Sequence, residues 1–246
     1  MKWRRNRQAS SLYLRFILIL AFSFLCTFSI AQKKKKTDTT TTAVITKITD
    51  TSVQKLDEKK FAASNIVFLL DISNSMSRDN KMVLLRKSME VLLVRLRKID
   101  KVHLISFGNS VTLLYSTGAL TTPDSLTAVL KSVRSIASAT NVNGGIQYAY
   151  ELAMQHFIKG ANNEVMLVTD GEFVLNKYTV TLVKDHPEIR LTSVVVGKDR
   201  ASAMAAEYIR ETLQLPVVSL VNEDSDLEEL LNYIKKNAST GTVSAK

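Results

Sequence analysis

The chain of 246 residues contains one cysteine, Cys26, one tryptophan, Trp3, and three histidines. A single cysteine excludes an internal disulfide scaffold and any site built from several thiolates. His103, His156 and His186 show no spacing that pairs them, whereas zinc or acid–base work would need a cluster, so each reads as a structural or surface residue. A glycine-rich phosphate loop is also missing, because Gly144-Gly145 is not followed by Lys and Ser or Thr. No nucleophile–base pairing emerges from the remaining residues. Charge of one sign is scarce too, despite a formal net charge of +10: beyond position 60 lie 20 of the 33 basic residues and 19 of the 23 acidic ones. That near-neutral remainder lacks the broad basic footprint of a nucleic-acid binder.

The positive charge is concentrated at the start. Lys2, Arg4, Arg5, Arg7 and Arg15 precede an apolar run at 16–30, which ends in Ser29-Ile30-Ala31 with small residues where a cleavage site needs them. This is the layout of a secretory signal peptide over 1–31, cut before Gln32. The competing reading is an uncleaved anchor tethering the chain to a membrane through residues 12–31, but the apolar run is shorter than the roughly 20 residues a spanning helix needs. Acylation at Cys26 fits less well, because Phe24-Leu25 are bulky. Export to the periplasm, or secretion, is the expectation, and cleavage would remove both Cys26 and Trp3. Residues 32–60 form a low-complexity Lys/Thr-rich connector, Lys33 to Lys36 followed by threonines, which cannot bury enough surface to fold alone. Within it, 43–48 has the pattern of a short edge strand.

From about Phe61 strands and helices alternate. Residues 66–70 are continuously apolar, as in a strand covered on both faces. Met82, Leu85, Met89, Leu92, Leu96 and Ile99 recur at helical spacing. Strands are expected at 102–107 and 111–115 as a hairpin around Gly108-Asn109-Ser110, with helices at 123–136 and 144–157. Tyr148, Tyr150 and Phe157 on the second of these read as packing residues. Then come a strand at 165–169, a short helix at 179–183, a strand at 191–196, a helix at 201–213, a strand at 217–221, a closing helix at 227–236 and a polar tail at 237–246. The pattern predicts an α/β domain over 61–236: a doubly wound, mostly parallel sheet with one antiparallel edge strand and helices on both faces.

The chemistry gathers around Asp71-Ile72-Ser73-Asn74-Ser75, where an apolar strand stops at a carboxylate and two hydroxyls follow at alternate positions. Hard cations take oxygen donors of this kind. Asp170 likewise follows an apolar strand, so both carboxylates should reach the crevice beyond the strand ends where strand order reverses. Between them lies a hydroxyl-rich loop, Ser138-Ala139-Thr140-Asn141, opening a helix. In this order and placement the chain resembles the von Willebrand factor type A domain and its metal-ion-dependent adhesion site, over roughly 61–236. The resemblance implies Mg²⁺ or Mn²⁺ held by Ser73, Ser75 and Thr140, with Asp71 and Asp170 acting largely through water or as hydrogen-bond acceptors. It also implies that an Asp or Glu carboxylate of a protein partner completes the coordination. Asn141 and Gly145 read as shaping the loop and helix start, and Glu172 as a solvated loop residue.

Three functions compete. One is an exported, non-enzymatic, metal-dependent protein-binding module. Another is a scaffold domain whose metal site is unused, since fold alone does not fix function. The third is a metal-dependent phosphohydrolase with Asp71 as nucleophile, but that chemistry wants a second carboxylate two residues on, where Ser73 stands.

Overall fold

The computed structural model describes residues 63–93, 96–117, 123–171, 173–214, 218–221 and 226–227. The leader, the connector with its strand at 43–48, Glu172, the closing helix beyond Leu227 and the tail lie outside the described residues.

Six strands form one sheet: β1 (Asn65–Asp71), β2 (Lys101–Phe107), β3 (Val111–Thr117), β4 (Asn163–Thr169), β5 (Arg190–Val196) and β6 (Val218–Val221), in the order β3-β2-β1-β4-β5-β6. All neighbours run parallel except β2 and β3, whose antiparallel hairpin closes one edge. The helices are α1 (Lys81–Leu93), α2 (Pro123–Ser132), α3 (Val142–Gln155), α4 (Lys177–Asp185) and α5 (Arg200–Leu213). The expected doubly wound sheet with its single antiparallel edge is what the chain forms.

Side chains of a strand alternate between faces. Val67, Leu69, Ile105, Phe107, Val165, Leu167, Leu191 and Val195 therefore share one face, in one cluster with Ile146, Ala149, Tyr150 and Ala153 of α3, Val183 of α4 and Ile209 of α5. The intervening Phe68, Leu70, Leu104, Met166, Val168 and Val194 are equally buried on the other face. Full burial on both sides is why β1 and β4 read as unbroken apolar runs.

Three helices end before the periodicity does. Helix α1 is over by Leu96 although apolar spacing continues to Ile99, and Asp100 holds the chain there in a turn: its carboxylate accepts from the Arg97 amide (2.8 Å) and pairs with the Arg97 guanidinium (2.7 Å). Helix α2 stops at Ser132 rather than 136, and the following segment is pulled alongside β1, with Ile136 and Ala137 amides both donating to Ile72 O at 3.2 Å. Helix α3 ends at Gln155, leaving Phe157 beyond it and 40 % exposed, so of the three aromatics read as packing only Tyr150 is fully buried and Tyr148 partly so.

Candidate metal centre

Strands β1 and β4 are neighbours in space but not in sequence, and the strand order reverses between them. Their register pairs Leu70 with Val168, so Asp71 lies level with Thr169, and Asp170 follows at once. Thr169 Oγ1 donates to Asp71 Oδ2 (2.6 Å) and accepts from the Gly171 amide (2.9 Å). The Ser73 amide donates to Asp71 Oδ1 (2.8 Å). Both oxygens of Asp71 are thus aimed by fixed donors, and neither Asp71 nor Asp170 has exposed surface.

Beyond Asp71 the chain enters a 3₁₀ turn, Asn74–Ser77, that brings the Ser73 and Ser75 hydroxyls within 3.0 Å of each other. The loop carrying Thr140 is fastened on both sides. Ser135 Oγ donates to Ser73 O (2.5 Å), and Ser73 forms a parallel bridge with Ala137. Further along, Ala139 N donates to Asn109 Oδ1 (2.7 Å) and Asn141 N to Gly108 O (2.8 Å). A side chain at Gly108 would meet Ala137 Cβ at 2.2 Å, so this close approach requires glycine. Thr140 sits half-buried in that loop, three residues past the bridge to Ser73. Asn141 caps α3, its side chain accepting from Gly144 N (3.1 Å), and Gly145 lets α3 pack against Phe107 and Leu69. The five residues singled out in the sequence therefore come from three neighbouring segments at the carboxyl edge of the sheet.

Electrostatics mark Asp71 as the unusual group. Burial pushes its carboxyl up to about 6, against hydrogen bonds from Ser73 and Thr169 that pull it down, and the nearby Asp170 adds to the rise. A cation between the two carboxylates would relieve both the desolvation and the repulsion. Among the described residues no three His, Cys, Asp or Glu side chains converge on a common point, so hydroxyls must complete any shell here. An oxygen-only set of two carboxylates and several hydroxyls suits a hard divalent cation.

Lys81 and Asp199, at this edge, escape a reading of the sequence. Lys81, the first residue of α1, is 1 % exposed, and its Nζ lies 3.0 Å from Asp170 Oδ2 and 2.9 Å from Asp199 Oδ2. Burial pushes the Lys81 ammonium down, but the hydrogen bonds and charges of Asp199 and Asp170 outweigh it and leave it above the ordinary lysine value. In return, Lys81 holds the Asp199 carboxyl down to about 2. Asp199 also caps α5 by accepting from Ser202 N (2.8 Å). The histidines stand apart from the centre: His103 stacks on His156 with ring centroids 4.4 Å apart and shares a hydrogen bond with Ser116 (2.8 Å), while His186 meets Glu188 at 3.0 Å.

Two strand-end carboxylates, a serine pair and a threonine loop thus gather at the switch point of a doubly wound sheet. Residues 66–172 match the family model of the von Willebrand factor type A domain. The chain is 28 % identical over 156 residues to the uncharacterised Escherichia coli (strain K12) protein YfbK, covering 62 % of this chain but only 27 % of YfbK. Its fold is similar to that of the conserved hypothetical protein BatB from Bacteroides thetaiotaomicron (20 % identity, 72 % of this chain and 100 % of that one, TM-score 0.57). It is also similar to that of proximal thread matrix protein 1 from the mussel byssus, solved with a zinc-occupied metal-ion-dependent adhesion motif (18 % identity, 72 % of this chain and 46 % of that one, TM-score 0.52).

Proposed function

We propose that this domain is a non-enzymatic, metal-dependent protein-binding module. Asp71, Ser73, Ser75, Thr140 and Asp170 would hold Mg²⁺ (or Mn²⁺), and an Asp or Glu side chain of a protein partner would dock there. The carrying observation is the pair of buried carboxylates Asp71 and Asp170 beside the paired hydroxyls of Ser73 and Ser75. When bound, the cation supplies an incompletely neutralised positive charge with an open position, because hydroxyl donors are neutral. The chain's own residues do the rest. Thr169 and the Ser73 amide orient Asp71, and the loop fastened to Gly108, Asn109 and Ser73 presents Thr140. Export of the chain, to the periplasm or beyond, is part of the same reading and rests on the leader at 1–31. YfbK is more than three times as long as the segment it shares with this chain.

A second reading, a scaffold whose metal site is unused, draws support from Lys81, whose ammonium already pairs with Asp170. Partner capture from the native source separates the two. The wild-type chain in Mg²⁺ should retain a protein that chelator releases, and Asp71→Ala should retain none. Retention unaffected by chelator and by the substitution would favour the scaffold.

A further inference from the structure

Lys81 is where the chain places a positive charge of its own inside the centre. Two consecutive residues before it, Asp79 (φ 51°) and Asn80 (φ 61°), are left-handed, a conformation that Asp and Asn tolerate better than most residues, and they turn the chain so that α1 begins at Lys81. The side-chain stem runs against Gly197, at φ 123°, where an added Cβ would lie 2.9 Å from Lys81 Cε and 2.5 Å from Ser202 Oγ. There is no room for the stem to swing aside on that flank. A buried ammonium is tolerated only when paired and hydrogen-bonded, and Asp170 and Asp199 provide the partners.

Resting on the reading of Asp71, Ser73, Ser75, Thr140 and Asp170 as a metal centre, we infer that Lys81 is its built-in counter-cation. Its charge, shared between Asp170 and Asp199, sets how tightly the centre holds a divalent ion. Asp170 serves both the lysine and the site, so part of its charge is already neutralised. Like charges close together repel, and the ammonium therefore weakens cation binding while keeping the centre short of negative charge, which favours an incoming carboxylate. Asp199 opposes this by drawing the ammonium's field toward α5. Lys81 is a positioning residue in this account, with no contact to the partner assigned to it.

The two members of the clasp should act with opposite sign, which a merely structural role would not produce. Lys81→Met removes the repelling charge, whereas Asp199→Asn keeps a good helix cap but removes one of the two carboxylates that offset the Lys81 charge, leaving Asp170. In Mn²⁺ titrations of the full chain, followed by electron paramagnetic resonance, Lys81→Met should bind about tenfold or more tighter than wild type. Asp199→Asn should bind about threefold or more weaker. Both variants shifting in one direction, or both matching a wild type that binds, overturns the inference and leaves the metal reading standing. Binding by none of the three proteins overturns both. Should Lys81→Met not fold, Asp199→Asn decides: weaker binding supports the inference, and unchanged or tighter binding overturns it.

Discussion

Thr169 Oγ1 donates to Asp71 Oδ2 across 2.6 Å, tying the ends of β1 and β4 together where the strand order reverses. The same hydroxyl accepts from the Gly171 amide, so it stands between a buried carboxylate and the turn that follows Asp170. Through this contact two strands meeting in the sheet become one site.

Thr169→Val keeps the shape of the side chain and deletes that hydroxyl. It leaves Asp71 Oδ2 and the Gly171 amide each without a partner, at an expected loss of about 1–3 kcal/mol. Urea unfolding of wild type and variant in chelator measures it. A difference within error would mean that water restores both bonds.

Acid should act on Asp71 in a direction opposite to the usual carboxylate. Its folded value of about 6 lies above the ordinary 3.8, so the folded protein takes up this proton more readily than the unfolded chain. The contribution is fully stabilising below about pH 4 and is lost as pH rises through 6, by about 3 kcal/mol in all. Asp71→Asn should accordingly be more stable than wild type in chelator at pH 7.5, with the gap closing toward pH 4.5. A gap independent of pH would assign Asp71 an ordinary carboxylate.

His103 should work the other way. Burial, then the charges of His156 and Lys101, bring it down to about 4, so it stays neutral in the fold while the unfolded chain takes up a proton below about 6.5. The stability it contributes is present above 6.5 and is lost as pH falls toward 4. The urea midpoint of His103→Gln should therefore decline less than that of wild type between pH 7 and 4.5. Parallel decline in the two proteins would place the acid sensitivity elsewhere.

Gly171 is held at φ 79°, and a Cβ there would lie 2.3 Å from Ala205 Cβ on α5. Gly171→Ala combines backbone strain with a collision between elements and should cost about 3 kcal/mol or more. Thermal unfolding reads it directly. Gly160→Ala, also at positive φ (75°) but with no atom near the added Cβ, is the control and should cost about 1 kcal/mol.

Much of the centre could be read from residue order, for a physical reason. Central parallel strands are apolar throughout, so the carboxylates that end them, Asp71 and Asp170, stand out, and the sheet's switch point brings them together. Lys81 and Asp199 could not be read in the same way. A lysine opening a helix ordinarily reads as solvated, and here it is buried only because Asp79, Asn80 and Gly197 adopt left-handed backbone that folds it inward. Thr169 reads as the last residue of a strand, because its hydroxyl acquires meaning only against Asp71 on the adjacent strand. Helix ends depart from periodicity where tertiary bonds override it, as at Asp100 after α1 and at Ile72 after α2.

The proposed centre requires the serine pair and Asp71 to hold a divalent cation. Mn²⁺ titration of the full chain, beside a Ser73→Ala/Ser75→Ala double variant and Asp71→Ala, tests it without any partner. Wild type should show one saturable site, weakened at least about a hundredfold in both variants, as loss of two donors or of a carboxylate demands. Undiminished saturable binding in either variant, or no binding by wild type, would contradict it.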